Sequence, residues 1–348
     1  MGRRDKSYYR DLKQQVHDRF DKMAAYGQSK KDAIAHDTDR NKIHSHDTYK
    51  TYRKHSIYFV NYIKEHHPEC TSLNQARKYI GEWIEVRKDY IQKDGTHLSA
   101  WTLSTEAASL RKLYGITPDQ KDYPRVPQRK REDIKRSRGD AVRDRHFSEK
   151  NNDEFVKFCR GTGCRRQIVE KLKGGDLALR SDMEQKFDSL KSIPEDKRTP
   201  AEKKEFTALK DALETFPDQK AFLHHRTDKG GRDRYAPIIG PSFEQIVERL
   251  KEKGMGESVW QVVPSNADIH SYRADYATNL YRMYARPIEE IPYDKFNEGT
   301  GKKYQSEVYT CRKDEKGKKL DKRAMMKVSK ALGHNRLEIV ANNYLRGL

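Results

Sequence analysis

Six side chains between residues 165 and 344 are of types that hold anions or move protons: Arg165, Lys229, His270, Arg273, His334 and Tyr344. Arg165 follows the glycine break in "GTGCRR" and opens a helix, while Lys229 lies at the tip of an Asp-Lys-Gly-Gly turn. His270 and Arg273 stand three apart, so they project together from one helix face. His334 follows Gly333, a helix C-cap, and Tyr344 shares a stripe with Leu337, Val340 and Ala341. Guanidinium forks match pairs of anionic oxygens and stay charged at any workable pH. Lysine and imidazole transfer protons. A phenol, with a pKa of about 10, becomes a nucleophile once it loses its proton. Taken singly, each residue also has a purely structural reading: a surface arginine, a solubilising hairpin lysine, an exposed helix pair, a histidine closing a helix end, an anchoring tyrosine.

The elements that must position these groups follow from periodicity and caps. Residues 1–45 read as a short, charged helical lead. In "SHDTYKTYRKHSIYFVNYIKEHH", Tyr52, Ser56, Phe59, Val60 and Ile63 share a helical face, with Asp47 as N-cap. Two further helices, near 73–90 and 100–114, complete an all-helical unit over 46–118. Residues 119–146, with "PRVPQRKREDIKRSRGDAVRDRHF", form a basic linker. Beyond it, over 147–348, the pattern is mixed. A helical hairpin spans 181–216, with Thr199, Pro200 and Glu202 as N-cap, N1 proline and capping-box partner. "KAFLHHRTDKGGRDRYAPII" reads as two short strands. A helix from Asp268 carries Ile269, Tyr272, Tyr276, Leu280 and Met283 on one face, and a polar hairpin turns near Lys316 and Gly317. The class is therefore α+β, mostly helical with small β-hairpins.

Composition says what these elements meet. The 348 residues hold 72 Lys and Arg against 53 Asp and Glu, a net charge of +19. Such an excess points to a polyanion, because cations gain affinity by releasing counterions from a phosphate backbone. Nothing approaches the ~20 apolar residues of a membrane-spanning helix, and the N-terminus has no apolar signal core. Cys70, Cys159, Cys164 and Cys311 include no C-x-x-C pair, which speaks against zinc and against a disulfide framework and favours reduced thiols in the cytoplasm. The linker residues Arg129, Lys130, Arg131, Lys135, Arg136 and Arg138 are the candidate contacts to DNA phosphates.

In order and spacing, "TGCRRQIVEKLKGGDL", "TDKGGRDRYAPI", "DIHSYRADYAT" and "LGHNRLEIVANNYL" resemble the motifs of the tyrosine recombinase (phage and mobile-element integrase) family. The likeness covers 147–348 motif by motif and extends more loosely to the helical unit, which resembles that family's core-binding domain. It implies a two-domain clamp on duplex DNA, a tetramer on two recombination sites, and a 3′-phosphotyrosyl intermediate on Tyr344. Arg165 and Arg273 would clamp the phosphate, Lys229 would protonate the leaving oxygen, His270 would assist proton transfer and His334 would bond the scissile phosphate. No metal or cofactor is implied, since one phosphoester is exchanged for another. The chain departs from the family in having Ile168 where a glutamate is common and Ala274 where many members have histidine. Few residues follow Tyr344, so the segment 285–323 is the first candidate for subunit coupling. Two other readings share these residues: a type IB topoisomerase-like relaxation activity, and a non-catalytic DNA-binding protein on the same fold.

Overall fold

The computed structural model describes residues 11–28, 30–36, 41–129, 146–228, 232–291, 307–311, 315–334, 336–345 and 348. The protein is mixed α+β and mostly helical, with two small antiparallel sheets among the described residues. It divides into two units, Met1–Lys130 and Arg131–Leu348.

The first unit is built from α1 (Leu12–Met23), α2 (Lys30–Ala35), α3 (His46–His66), α4 (Leu73–Ala76), α5 (Ile80–Asp89) and α6 (Ala100–Tyr114). Leu12, Val16 and Phe20 of α1 lie in the same core as Phe59, Val60, Ile63, Ile84 and Leu110. The charged lead thus packs into the helical unit instead of standing apart, because its apolar residues recur at helical spacing on one face. The N-cap of α3 is Ser45, not Asp47, which sits in the first turn where its charge favours the helix dipole. The helix expected over 73–90 is broken by a 3₁₀ turn at Arg77–Tyr79. Tyr123 and Val126, from the segment read as linker, pack on this core. Arg129 donates to Ser104 Oγ at 2.6 Å and lies 4.4 Å from the Trp101 ring centroid. Lys130, Arg131, Lys135, Arg136 and Arg138 lie outside the described residues.

An ion cluster sits inside that helical core. Glu106, 1% exposed, accepts from Arg87 Nε and Nη2 at 2.9 and 2.8 Å, with His55 Nδ1 at 3.5 Å. Burial pushes its carboxyl up, but the hydrogen bonds from His55 and Arg87 outweigh that and hold it below the usual range. A carboxylate depressed on folding contributes stability above its unfolded pKa and loses it as pH falls through the folded value. Glu106→Gln should therefore destabilise this unit by about 1.5–3 kcal/mol at neutral pH, the worth of hydrogen bonds to a charged group. Urea unfolding should also show the gap between wild type and variant closing below about pH 4.

In the second unit, β1 (Leu177–Leu179), β2 (Ala221–Asp228) and β3 (Arg232–Pro237) form one antiparallel sheet in that order. Successive β2 residues face opposite sides, as strand geometry requires. Phe222 joins one core with Tyr276, Leu280, Met325, Val328 and Tyr344, while Ala221 and Leu223 join another with Phe155, Phe158 and Tyr272. The helices are α7 (Asp153–Thr162), α8 (Arg166–Val169), α9 (Arg180–Ser192), α10 (Pro200–Thr215), α11 (Phe243–Lys251), α12 (Ile269–Tyr284), α13 (Lys322–Ala331) and α14 (Leu337–Asn343). A capping box of Thr199 and Glu202, with Pro200 in the first turn, starts α10. The second sheet pairs β4 (Val308–Thr310) with β5 (Lys319–Asp321), and Gly317 supplies the positive φ in the turn between them. Helix α12 starts in the second core and continues through the first, with Met283 of its final turn left 52% exposed rather than buried with the stripe.

Candidate active site

Among the described residues, Arg165, His270, Arg273, His334 and Tyr344 are each delivered by a local stop or start in a helix. Helix α7 ends at Gly163, whose left-handed φ of 59° lets its N–H close on the Cys159 carbonyl at 2.9 Å. The Tyr276 ring occupies the place where a Cβ would stand, 2.3 Å away, so both conformation and contact demand glycine there. The reversed chain then presents Arg165 as the N-cap residue of α8. Asp268 caps α12 by accepting from Ser271 N–H at 3.1 Å, which places His270 and Arg273 in its opening turns.

The end of α13 carries the next group. Gly333, at φ 68°, turns the chain so that the Gly333 N–H reaches Lys330 O at 3.0 Å and the His334 N–H reaches Ser329 O at 2.8 Å. This is a Schellman closure, and it fixes the His334 backbone. Tyr344 ends α14, its N–H on Val340 O at 3.1 Å and its carbonyl accepting from Thr278 Oγ at 3.2 Å.

These pieces converge. Arg273, 1% exposed, donates through Nη1 to Gly163 O and through Nη2 to Leu332 O at 2.6 Å. Its Nε is buried and meets no acceptor among the described residues. Arg165 Nη2 reaches the same Leu332 carbonyl at 3.5 Å. The Tyr344 ring, 5% exposed, has its centroid 5.5 Å from the Arg273 guanidinium carbon. Nε2 of His334 lies 3.1 Å from the phenol oxygen, so the phenol donates when that nitrogen is unprotonated. The His270 ring, exposed to solvent, is centred 5.5 Å from the Tyr344 ring. His334 thus stands within hydrogen-bond reach of the phenol. Burial lowers the Arg273 pKa to about 10, partly countered by Tyr344 and reinforced by the cations Arg165 and Arg234. It remains a cation at neutral pH.

The neighbouring arginines are otherwise engaged. Arg160 pairs with Asp275 at 3.1 Å and Glu149 at 3.5 Å. Arg166 donates to the carbonyls of Pro264, Ser265 and Ala267, stapling the approach to α12. Ile168 packs against the second core. Lys229 lies outside the described residues, beyond β2.

Two features of the site carry no distinctive sequence signal. Arg234, 9% exposed on β3, donates to Ala331 O and stands opposite His225 in the sheet register. Beside Arg165 opens a cleft of about 500 Å³ whose lining includes Lys171, Lys173, His224, His225 and Arg226. His224 bonds Asp233 and stacks on Tyr235, and burial keeps its pKa below the ordinary histidine value against the pull of that carboxylate. Among the described residues, no helix is long and apolar enough to cross a membrane. No protein-family model matches the sequence, and no curated protein matches it significantly.

Proposed function

We propose that this chain is a site-specific DNA recombinase that cuts and rejoins duplex DNA through a 3′-phosphotyrosyl link on Tyr344. The observation that carries this reading is the convergence of His270, Arg273 and His334 on one tyrosine, with Arg165 on the carbonyl that Arg273 also holds, although they come from distant parts of the chain. The net charge of +19 and the basic lining of the adjacent cleft support a phosphodiester substrate.

In this reading the Tyr344 oxygen attacks phosphorus and the bond from phosphorus to the 5′-oxygen breaks. The phenolic proton passes to His334, a base within hydrogen-bond reach, with His270 flanking the ring. Lys229 returns a proton to the departing 5′-oxygen. Attack by a DNA 5′-hydroxyl reverses these steps and rejoins the strand, so phosphoester count is conserved. Arg165 and Arg273 stabilise the charge that grows on the non-bridging oxygens, and the uncommitted Nε of Arg273 is a donor held ready for one of them. Because Tyr344 covers Arg273, phosphate reaches that guanidinium only as the ring moves off it. The two units would clamp the duplex, with a tetramer forming on two sites.

A pool of nicked duplexes with randomised centres tests this reading. Covalent capture of a common sequence and formation of joint products are expected. Relaxation of plasmids without any preferred site and without joint products would instead indicate a topoisomerase. The basic segment is expected to bind phosphates. Replacing Arg131 and Arg136 should flatten the plot of log affinity against log salt by about 0.9 for each phosphate that is no longer neutralised, as read by fluorescence anisotropy across a salt series.

A further inference from the structure

Helix α13 ends with four carbonyls that have no partner further along the helix, those of Ser329, Lys330, Ala331 and Leu332. The turn through Gly333 serves two of them, with His334 N–H on Ser329 O and Gly333 N–H on Lys330 O. Arginines from elsewhere in the fold serve the other two. Arg273 and Arg165 share Leu332 O, and Arg234 takes Ala331 O. Three guanidinium groups therefore gather at the negative end of one helix dipole, which offsets their mutual repulsion.

From this arrangement we infer that Arg234 is a positioning residue: by holding the Ala331 carbonyl it fixes the helix end that orients Arg273, Arg165 and His334 toward Tyr344. As a role in catalysis this rests on the recombinase reading; as a statement about geometry it does not.

The anchorage is rigid on both sides. On β3 the residue after Arg234, Tyr235, bonds Glu205 of α10 at 3.3 Å. Helix α13 is tied to the same α10 through Lys330, at 2.5 Å from Asp211 and 3.0 Å from Thr215. Without Arg234 the Ala331 carbonyl loses its donor inside a buried site, and the adjoining Leu332 carbonyl is free to shift. The Arg273 and Arg165 forks would then follow it. The Schellman turn that sets the His334 backbone starts from the same four residues.

The test uses the full chain with Arg234→Met and Arg234→Lys, and three readouts. These are the single-turnover rate of covalent capture on saturating nicked duplex, the Kd for that duplex, and the ring nitrogen signals of His334 in free, histidine-labelled protein. Arg234→Met is expected to slow capture by up to about 100-fold, the scale of a small misplacement in a reacting site. Its Kd should stay within about 2-fold of wild type while the His334 signals move; a residue that merely supports the fold would not separate rate from binding in this way. Arg234→Lys, which still offers one donor, should fall between the two. If the methionine variant does not fold, the lysine variant decides alone, by a slower rate at unchanged Kd. Wild-type rate with unmoved His334 signals in the folded variants would overturn the inference. If wild type captures no DNA, the recombinase reading fails by itself. The His334 signals then still decide the geometry: moved signals support the positioning role and unmoved ones overturn it.

Discussion

Tyr344→Phe should bind the nicked duplex as tightly as the wild type and never become covalently attached to it. The substitution removes one oxygen and leaves the ring that packs with Val340, Ala341 and the α12 residues. Among the contacts it removes is the hydrogen bond to His334, 3.1 Å long, worth about 0.5–1.5 kcal/mol in folding. His334 is only partly buried, so water can replace the missing partner. A folded, DNA-binding variant with no covalent species would place the loss in the chemistry. Denaturing gels read the adduct, and a thermal melt confirms that the fold survives. A covalent species that persists without the phenol would mean another residue is the nucleophile.

Arg273→Lys should be nearly as damaging to the rate, for a reason specific to the fork. The guanidinium spans two carbonyls, Gly163 O and Leu332 O, at the ends of two different helices while its Nε stays uncommitted. An ammonium is a point charge and cannot bridge both carbonyls and also present a third, fixed donor. Losing one preorganised donor to a developing oxyanion typically slows a reaction by about 10²–10³-fold. We expect a loss of that order in single-turnover capture at saturating DNA. A fall in unfolding free energy of about 1.5–3 kcal/mol should accompany it, because a hydrogen bond to a charged group is removed. A capture rate within a few-fold of wild type would show that the arginine serves packing alone.

Much of what positions the site can be read from local rules. The capping box at Thr199, the pairing of β2 with β3, the glycine break before Arg165 and the start of a helix at Asp268 are short-range signals, and each stands where the residues call for it. The side chains that complete the arrangement obey tertiary rules instead. Arg234 alternates with Tyr235 on a strand, and by strand periodicity a polar residue in that position reads as solvent-facing. It is buried because a helix end from nearly a hundred residues away offers it a carbonyl. Glu106 likewise sits on the buried face of α6 because Arg87 and His55 arrive from other helices to neutralise it. Met283 shows the reverse: its spacing gives the correct face of α12, but spacing does not say how far along that face a neighbour packs.

The phosphotyrosyl link itself is open to mass spectrometry of the captured protein–DNA species. Trypsin releases residues 337–346 as a peptide whose single tyrosine is Tyr344. After nuclease trimming, that peptide should carry a nucleotide through a phosphodiester on the phenol oxygen. A nucleotide on any other residue, or no modified peptide from a DNA pool that the protein binds, would show that Tyr344 does not attack DNA.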